Sequence, residues 1–126
     1  MHCKNKPFLD LDIEYINNII NLNLKVPIIL TYYLLSSLNN IININSMSGI
    51  ESKKYRTLYA ASKWGLKGFS ESLKNEINKK YILDVYPTSI KTNDKIENGM
   101  EVSNVAEAIY EAYINKKKEV ILDGRF

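Results

Sequence analysis

The sequence predicts an α/β fold with about three parallel strands and flanking helices. Short apolar, mostly β-branched runs recur at residues 41–44, 82–86 and 119–122. Longer segments with apolar residues at helical spacing precede and separate them. Strands joined through helices pair in parallel, with right-handed crossovers. The 126 residues are enough for one domain, spanning 1–126, with a modest core.

Asp10 or Asp12 caps the first helix, with Glu14 in its first turn. Ile13, Ile16, Ile19, Ile20 and Leu24 continue it at helical spacing. Pro27 interrupts this pattern. It has no N–H to give the carbonyl four residues back, that of Asn23, so a kink with a freed Asn23 carbonyl is expected. A second helical stretch carries Ile28, Ile29, Tyr32, Tyr33 and Leu35. The apolar run 26–38 reads as a buried helix, because it is shorter than the ~20 residues of a spanning helix and is interrupted by Thr31, Ser36 and Ser37.

Asn39 and Asn40 break the helix. Ile41, Ile42 and Ile44 then read as a strand buried on both faces. Ser46-Met47-Ser48-Gly49 is a turn. The next helix is expected over about 55–80, with Leu58, Ser62, Gly65, Leu66, Phe69, Leu73 and Ile77 on one stripe. Gly65 and Gly68 each cost about 1 kcal/mol inside a helix, which suggests close packing against another backbone.

The second strand, 82–86, ends at Pro87, and a polar loop runs over 88–99. A helix over 102–115 presents Val105, Ala106, Ile109, Ala112 and Tyr113 as its apolar positions. A third strand over 119–122 is closed by Asp123-Gly124.

Composition narrows the function classes. Apolar content of 45% and charged content of 25% fit an ordinary globular chain. A net charge of +3 gives no case for nucleic acid. Lys79-Lys80 and Lys116-Lys117-Lys118 read as solvated helix ends. The single cysteine, Cys3, excludes an internal disulfide and fits a reducing, cytoplasmic setting. His2 and Cys3 have no further His or Cys to complete a metal site and read as a mobile terminus. The first seven residues contain no apolar segment, so no secretory signal and no membrane association are expected. There is no internal repeat, and the richness in Asn, Ile and Lys runs along the whole chain.

The chemistry concentrates in Tyr59 and Lys63, four apart on one helix face, with Ser46 thirteen residues before the tyrosine. An ammonium beside a phenol favours the phenolate and lowers its pKa from about 10. A tyrosine so tuned exchanges a proton with a substrate oxygen, which Ser46 could hold by hydrogen bonding. Ser48 is a competing serine at a different interval.

These residues resemble the short-chain dehydrogenase/reductase family. The stretch 41–49 resembles its strand leading to a catalytic serine, and Tyr59-Ala60-Ala61-Ser62-Lys63 matches its Tyr-x-x-x-Lys signature. Asn23-Leu24 sits where the family keeps a relay asparagine, with Asn21 as a nearby alternative. Residues 87–92 resemble its Pro-Gly-x-x-x-Thr segment. The resemblance runs from about Pro7 to the C-terminus and covers the C-terminal half of the family's Rossmann-type doubly wound domain.

That resemblance implies hydride transfer between NAD or NADP and a secondary alcohol or ketone. Tyr59 would be the general acid/base, Lys63 would tune it and bind the nicotinamide ribose, and Ser46 would orient the carbonyl. Asn23 would hold a relay water through its backbone carbonyl. Pro87 and Thr92 would lie beside the nicotinamide, Thr92 touching the carboxamide or else capping its loop. The helices around Asn23 and Tyr59 would form a homodimer. By residue type alone, Trp64, Tyr32, Tyr33 and Tyr55 could form a binding surface, although such residues are more often core or helix–helix contacts.

Two departures stand out. Thr88 replaces the family's glycine and is expected to crowd the nicotinamide. None of the five glycines forms the Gly-rich strand-to-helix turn that holds pyrophosphate, and the family's earlier strands would precede Met1. A second reading is therefore a truncated, non-catalytic fragment or interaction module, or one half of a split enzyme. Its unpaired strand edge would invite another chain. A third is nucleic-acid binding through the basic helix ends.

Overall fold

The computed structural model describes residues 5–125; His2 and Cys3 lie outside the described residues. Three strands form one parallel sheet in the order β1-β2-β3: β1 Asn40–Ile44, β2 Tyr81–Pro87 and β3 Glu119–Leu122. Four α-helices surround it: α1 Ile13–Ile20, α2 Val26–Leu34, α3 Thr57–Glu76 and α4 Val102–Ile114. The α/β class and all three strands agree with the sequence reading.

β2 is the centre of the molecule. Ile41 pairs with Ile82 on one side, and Val85 with Val120 on the other. Leu83 and Val85 are fully buried and pack with Ala112 of α4, flanked by Ile109, Tyr113 and Val120. Val105 and Ala112 are the buried positions of α4, whereas Ala106 faces out. The stripe expected on α3 holds: Ser62, Leu66 and Ser70 are buried, and Leu58, Phe69, Leu73 and Ile77 are half-buried.

A polar brace ties α3 to the sheet. Asp84, on β2 and only 2% exposed, accepts hydrogen bonds from Ser70 Oγ at 2.7 Å and Lys74 Nζ at 2.6 Å, both on α3. Asn43 Nδ2, on β1, also donates to Asp84 at 3.1 Å. A carboxylate in this core would be costly without such partners.

Asp12, rather than Asp10, caps α1, accepting the Tyr15 N–H at 2.6 Å. At Pro27 the chain does not break. A single π turn, Asn21–Lys25, joins α1 to α2, with the Val26 N–H reaching back to the Asn21 carbonyl. The π turn absorbs the missing proline N–H where a kink was expected.

Several burial expectations are corrected. β1 is not buried on both faces: it lies at the sheet edge, with Ile42 41% and Ile44 49% exposed. An edge strand of this sheet has a covering neighbour on one side only. The 26–38 helix is not buried either: no residue of α2 is buried, and Ile29, Leu30, Tyr32 and Tyr33 are exposed. Trp64 and Tyr55 are exposed too, so these aromatic residues are not core. Gly65 packs on the Leu24 side chain rather than on a backbone, and Gly68 has open space around it.

The α3 boundaries are tighter than the expected 55–80. Tyr55 takes a left-handed conformation (φ 64°) just before the helix starts. Lys116 is not simply solvated: its Nζ lies over the Tyr81 and Tyr113 rings, at 4.7 and 4.5 Å from their centroids.

Candidate active site

The C-terminal ends of β1 and β2 open onto a cleft of about 630 Å³, and Ser46, Tyr59 and Pro87 line it. Open parallel sheets place their ligand crevices at this end of the strands.

Ser46 follows β1 and caps a short 3₁₀ turn, Met47–Gly49. Its Oγ accepts the Ser48 N–H at 3.2 Å, so the Ser46 proton remains free to donate into the cleft. Ser48 is buried within the turn and also lines the cleft, but its backbone is what supports Ser46. The turn is locked onto α3: Asn45 Nδ2 donates to the Lys63 carbonyl at 3.1 Å. A Cβ on Gly49 would sit 2.9 Å from Asn45 Oδ1 and 3.1 Å from that carbonyl. Gly49 therefore serves the packing of this turn on the helix.

Tyr59 lies in the first turn of α3, and Lys63 one turn later. Lys63 Nζ is 5.7 Å from the Tyr59 ring centroid. Burial pushes the Lys63 ammonium below its ordinary pKa. Among the described residues no carboxylate pairs with it, so a half-buried cation stands beside the phenol.

Asn23 meets the same helix from behind. Its Nδ2 donates to Ser62 Oγ at 3.3 Å, and Ser62 Oγ donates to the Tyr59 carbonyl at 2.8 Å. Asn21 is exposed, so of the two asparagines it is Asn23 that faces α3. The proline argument bears on its carbonyl, which lies within the π turn and receives no N–H from Pro27.

Thr88 lines the cleft beside Pro87, with its side chain anchored. Its Oγ1 accepts the Gly124 N–H at 2.9 Å, and its N–H bonds the Leu122 carbonyl at 2.9 Å, tying the loop to β3. Thr92 is exposed, bonds the Ile90 carbonyl through its own N–H at 2.9 Å, and is not among the residues lining the cleft.

Two groups were not singled out from sequence. Asn45 positions the Ser46 turn against Lys63, and the cations Lys53 and Arg56 line the cleft. Arg56 carried a usable signal: a cation stands at the start of a helix, where the dipole disfavours it.

A family model described as short chain dehydrogenase matches residues 2–102. The chain belongs to the short-chain dehydrogenase family. No curated protein matches it. A bulky-bulky ketone specific alcohol dehydrogenase from Comamonas testosteroni aligns with TM-score 0.81 and 22% identity over 95% of this chain and 51% of that one. A 4-hydroxyisoleucine dehydrogenase complexed with NADH aligns with TM-score 0.80 and 21% identity over 98% of this chain and 64% of that one. The alcohol dehydrogenase from the archaeon Thermococcus sibiricus, complexed with 5-hydroxy-NADP, gives TM-score 0.82 and 18% identity over 93% and 57%. The chain thus shares the fold of those structures and spans 51% to 64% of their length. No described helix is long and apolar enough to cross a membrane.

Proposed function

We propose that this chain provides the proton-transfer half of an NAD- or NADP-dependent oxidoreductase acting on a secondary alcohol or ketone in the cytoplasm. The observation that carries the reading is the meeting of Ser46 and Tyr59 in one cleft, with the half-buried Lys63 ammonium 5.7 Å from the Tyr59 ring. In the reduction direction Tyr59 gives its phenolic proton to the developing alkoxide, and the ammonium stabilises the phenolate left behind. Ser46, whose proton is free, donates to the same oxygen and holds it in place. Asn23 braces α3 through Ser62, and its carbonyl is a candidate anchor for a relay water.

The residues present fit one end of a nicotinamide cofactor. The Lys63 ammonium, unpaired among the described residues, and the Tyr59 hydroxyl suit a ribose diol, and Pro87 lines the cleft with Tyr59. Thr92, on an exposed loop, is a weaker candidate contact. None of the described glycines forms a Gly-rich strand-to-helix turn to hold the pyrophosphate. The nicotinamide would supply or accept the hydride.

A second reading has its own observation. The β1 edge is open and α2 presents Ile29, Leu30 and Tyr33, with Trp64 exposed on α3. These surfaces suit a homodimer through the Asn23 and Tyr59 helices, or a separate chain that adds strands to β1. In the latter case the enzyme would be split; with neither catalysis nor such a partner, the chain would be an interaction module.

The test is complementation. The chain is mixed with a polypeptide carrying a Gly-rich strand–turn–helix half, and ketone-dependent NADH or NADPH oxidation is followed. Turnover that needs both parts supports the enzyme reading. Dimers without cofactor-induced thermal stabilisation and without turnover would favour the interaction module.

A further inference from the structure

The cleft beside Tyr59 has a one-sided charge. Lys53, Arg56 and Arg125 line it, and no aspartate or glutamate does. Arg125 is already satisfied: it pairs with Glu51 at 2.9 Å and with Asp123 at 2.5 Å. Lys53 has no direct ion-pair partner among the described residues, although it lies in the field of Glu51 and Asp123. Arg56 has no carboxylate partner among the described residues; its Nε donates to Asn5 Oδ1 at 3.1 Å.

The backbone adds to this charge. Arg56 is the N-cap of the twenty-residue helix α3, and no side chain caps that end or places a carboxylate in its first turn. The first N–H groups of α3 and their partial positive charge are left to be satisfied from outside the helix. Tyr59 lies in that same turn, ~4.5 Å of helix rise beyond Arg56.

We propose that the substrate carries an anionic group, as a small keto or hydroxy acid does, with its carboxylate held by Arg56 and the start of α3 and its carbonyl or hydroxyl presented to Tyr59 and Ser46. This rests on the proton-transfer reading of the site. A planar guanidinium takes a carboxylate in bidentate fashion, which would orient the acid as well as hold it. The other source of an anion here is a nucleotide phosphate.

Binding to the full chain tests the proposal without catalysis. Pyruvate, methyl pyruvate and inorganic phosphate are titrated separately while the backbone amides of Thr57, Leu58 and Tyr59 are followed by NMR. Pyruvate is expected to shift these amides saturably and to bind at least ~10-fold more tightly than its neutral ester. Arg56→Gln should weaken pyruvate by about the same factor, and Arg56→Lys should recover part of the loss. Lys53→Gln serves as a second variant should Arg56→Gln lose its circular dichroism spectrum, and should weaken pyruvate severalfold.

Equal affinity for acid and ester, or affinity unchanged by these substitutions, would overturn the proposal. Phosphate shifting the same amides while pyruvate does not would assign the anion to a nucleotide and overturn it equally. The underlying reading fails separately, if Tyr59→Phe leaves turnover of the complemented enzyme intact.

Discussion

Replacing Asp84 with alanine should loosen the helix that carries Tyr59 and Lys63. Asp84 is 2% exposed and accepts from Ser70, Lys74 and Asn43. Breaking a buried ion pair by removing one partner costs about 3–5 kcal/mol. The low end applies here, because the Lys74 side chain is 20% exposed and also donates to the Lys118 carbonyl at 2.9 Å. The fully buried Ser70 hydroxyl loses its acceptor, for about 1 kcal/mol more. The total is about 4 kcal/mol, a large fraction of the ~5–15 kcal/mol of a typical domain.

Asp84→Asn keeps an acceptor oxygen and should lose about half as much. The assay is urea denaturation followed by circular dichroism. With a slope of ~2 kcal/mol/M, the alanine variant's midpoint should fall by about 2 M and the asparagine variant's by about 1 M. A fall of less than about 0.3 M in both, with unchanged slope, would refute the idea that this brace fixes α3 on the sheet.

Other substitutions separate function from stability. Burial lowers the Lys63 pKa, so between its folded and ordinary values the unfolded chain binds more protons, and stability should rise with pH as it approaches ~10.4. Lys63→Met should remove that rise and increase stability at pH 7, as read by thermal melts in a pH series. Gly49→Ala should destabilise by about 1–3 kcal/mol, since its Cβ meets the Lys63 carbonyl at 3.1 Å, whereas Gly68→Ala should stabilise by up to ~1 kcal/mol in open space; chemical denaturation compares the two. Ile42→Lys with Ile44→Lys should reduce self-association in light scattering by charging the open β1 edge, and unchanged particle size would argue against that edge as a docking site.

Much of the fold was legible because its elements follow strong local rules. The β-branched run at 41–44, the long 3.6-residue stripe of α3 and the Pro87 stop each point to one structure. Burial of β1 and α2 was misread for one shared reason. Apolar content reports what a surface is suited to cover, and here the described chain leaves Ile42, Ile44, Ile29 and Leu30 exposed. Ser46 and Tyr59 both line the cleft, and Lys63, one helical turn on, brings its Nζ to 5.7 Å from the Tyr59 ring without lining the cleft itself.

Long-range polar partners were not legible. Nothing local in Asn43, Asp84 or Asn45 announces that they bond across 18 to 41 residues of sequence. The bond of Thr88 was not legible either, since its partner Gly124 lies 36 residues away.

The central claim is that Tyr59 moves the proton. The direct measurement is the ketone-reduction rate of the complemented enzyme at pH 7, with wild-type chain and with Tyr59→Phe, which removes only the hydroxyl. The account predicts a rate loss of about 10²–10⁴-fold with little change in cofactor affinity. A Tyr59→Phe rate within a few-fold of wild type, or no turnover in any complemented form of the chain, would contradict it.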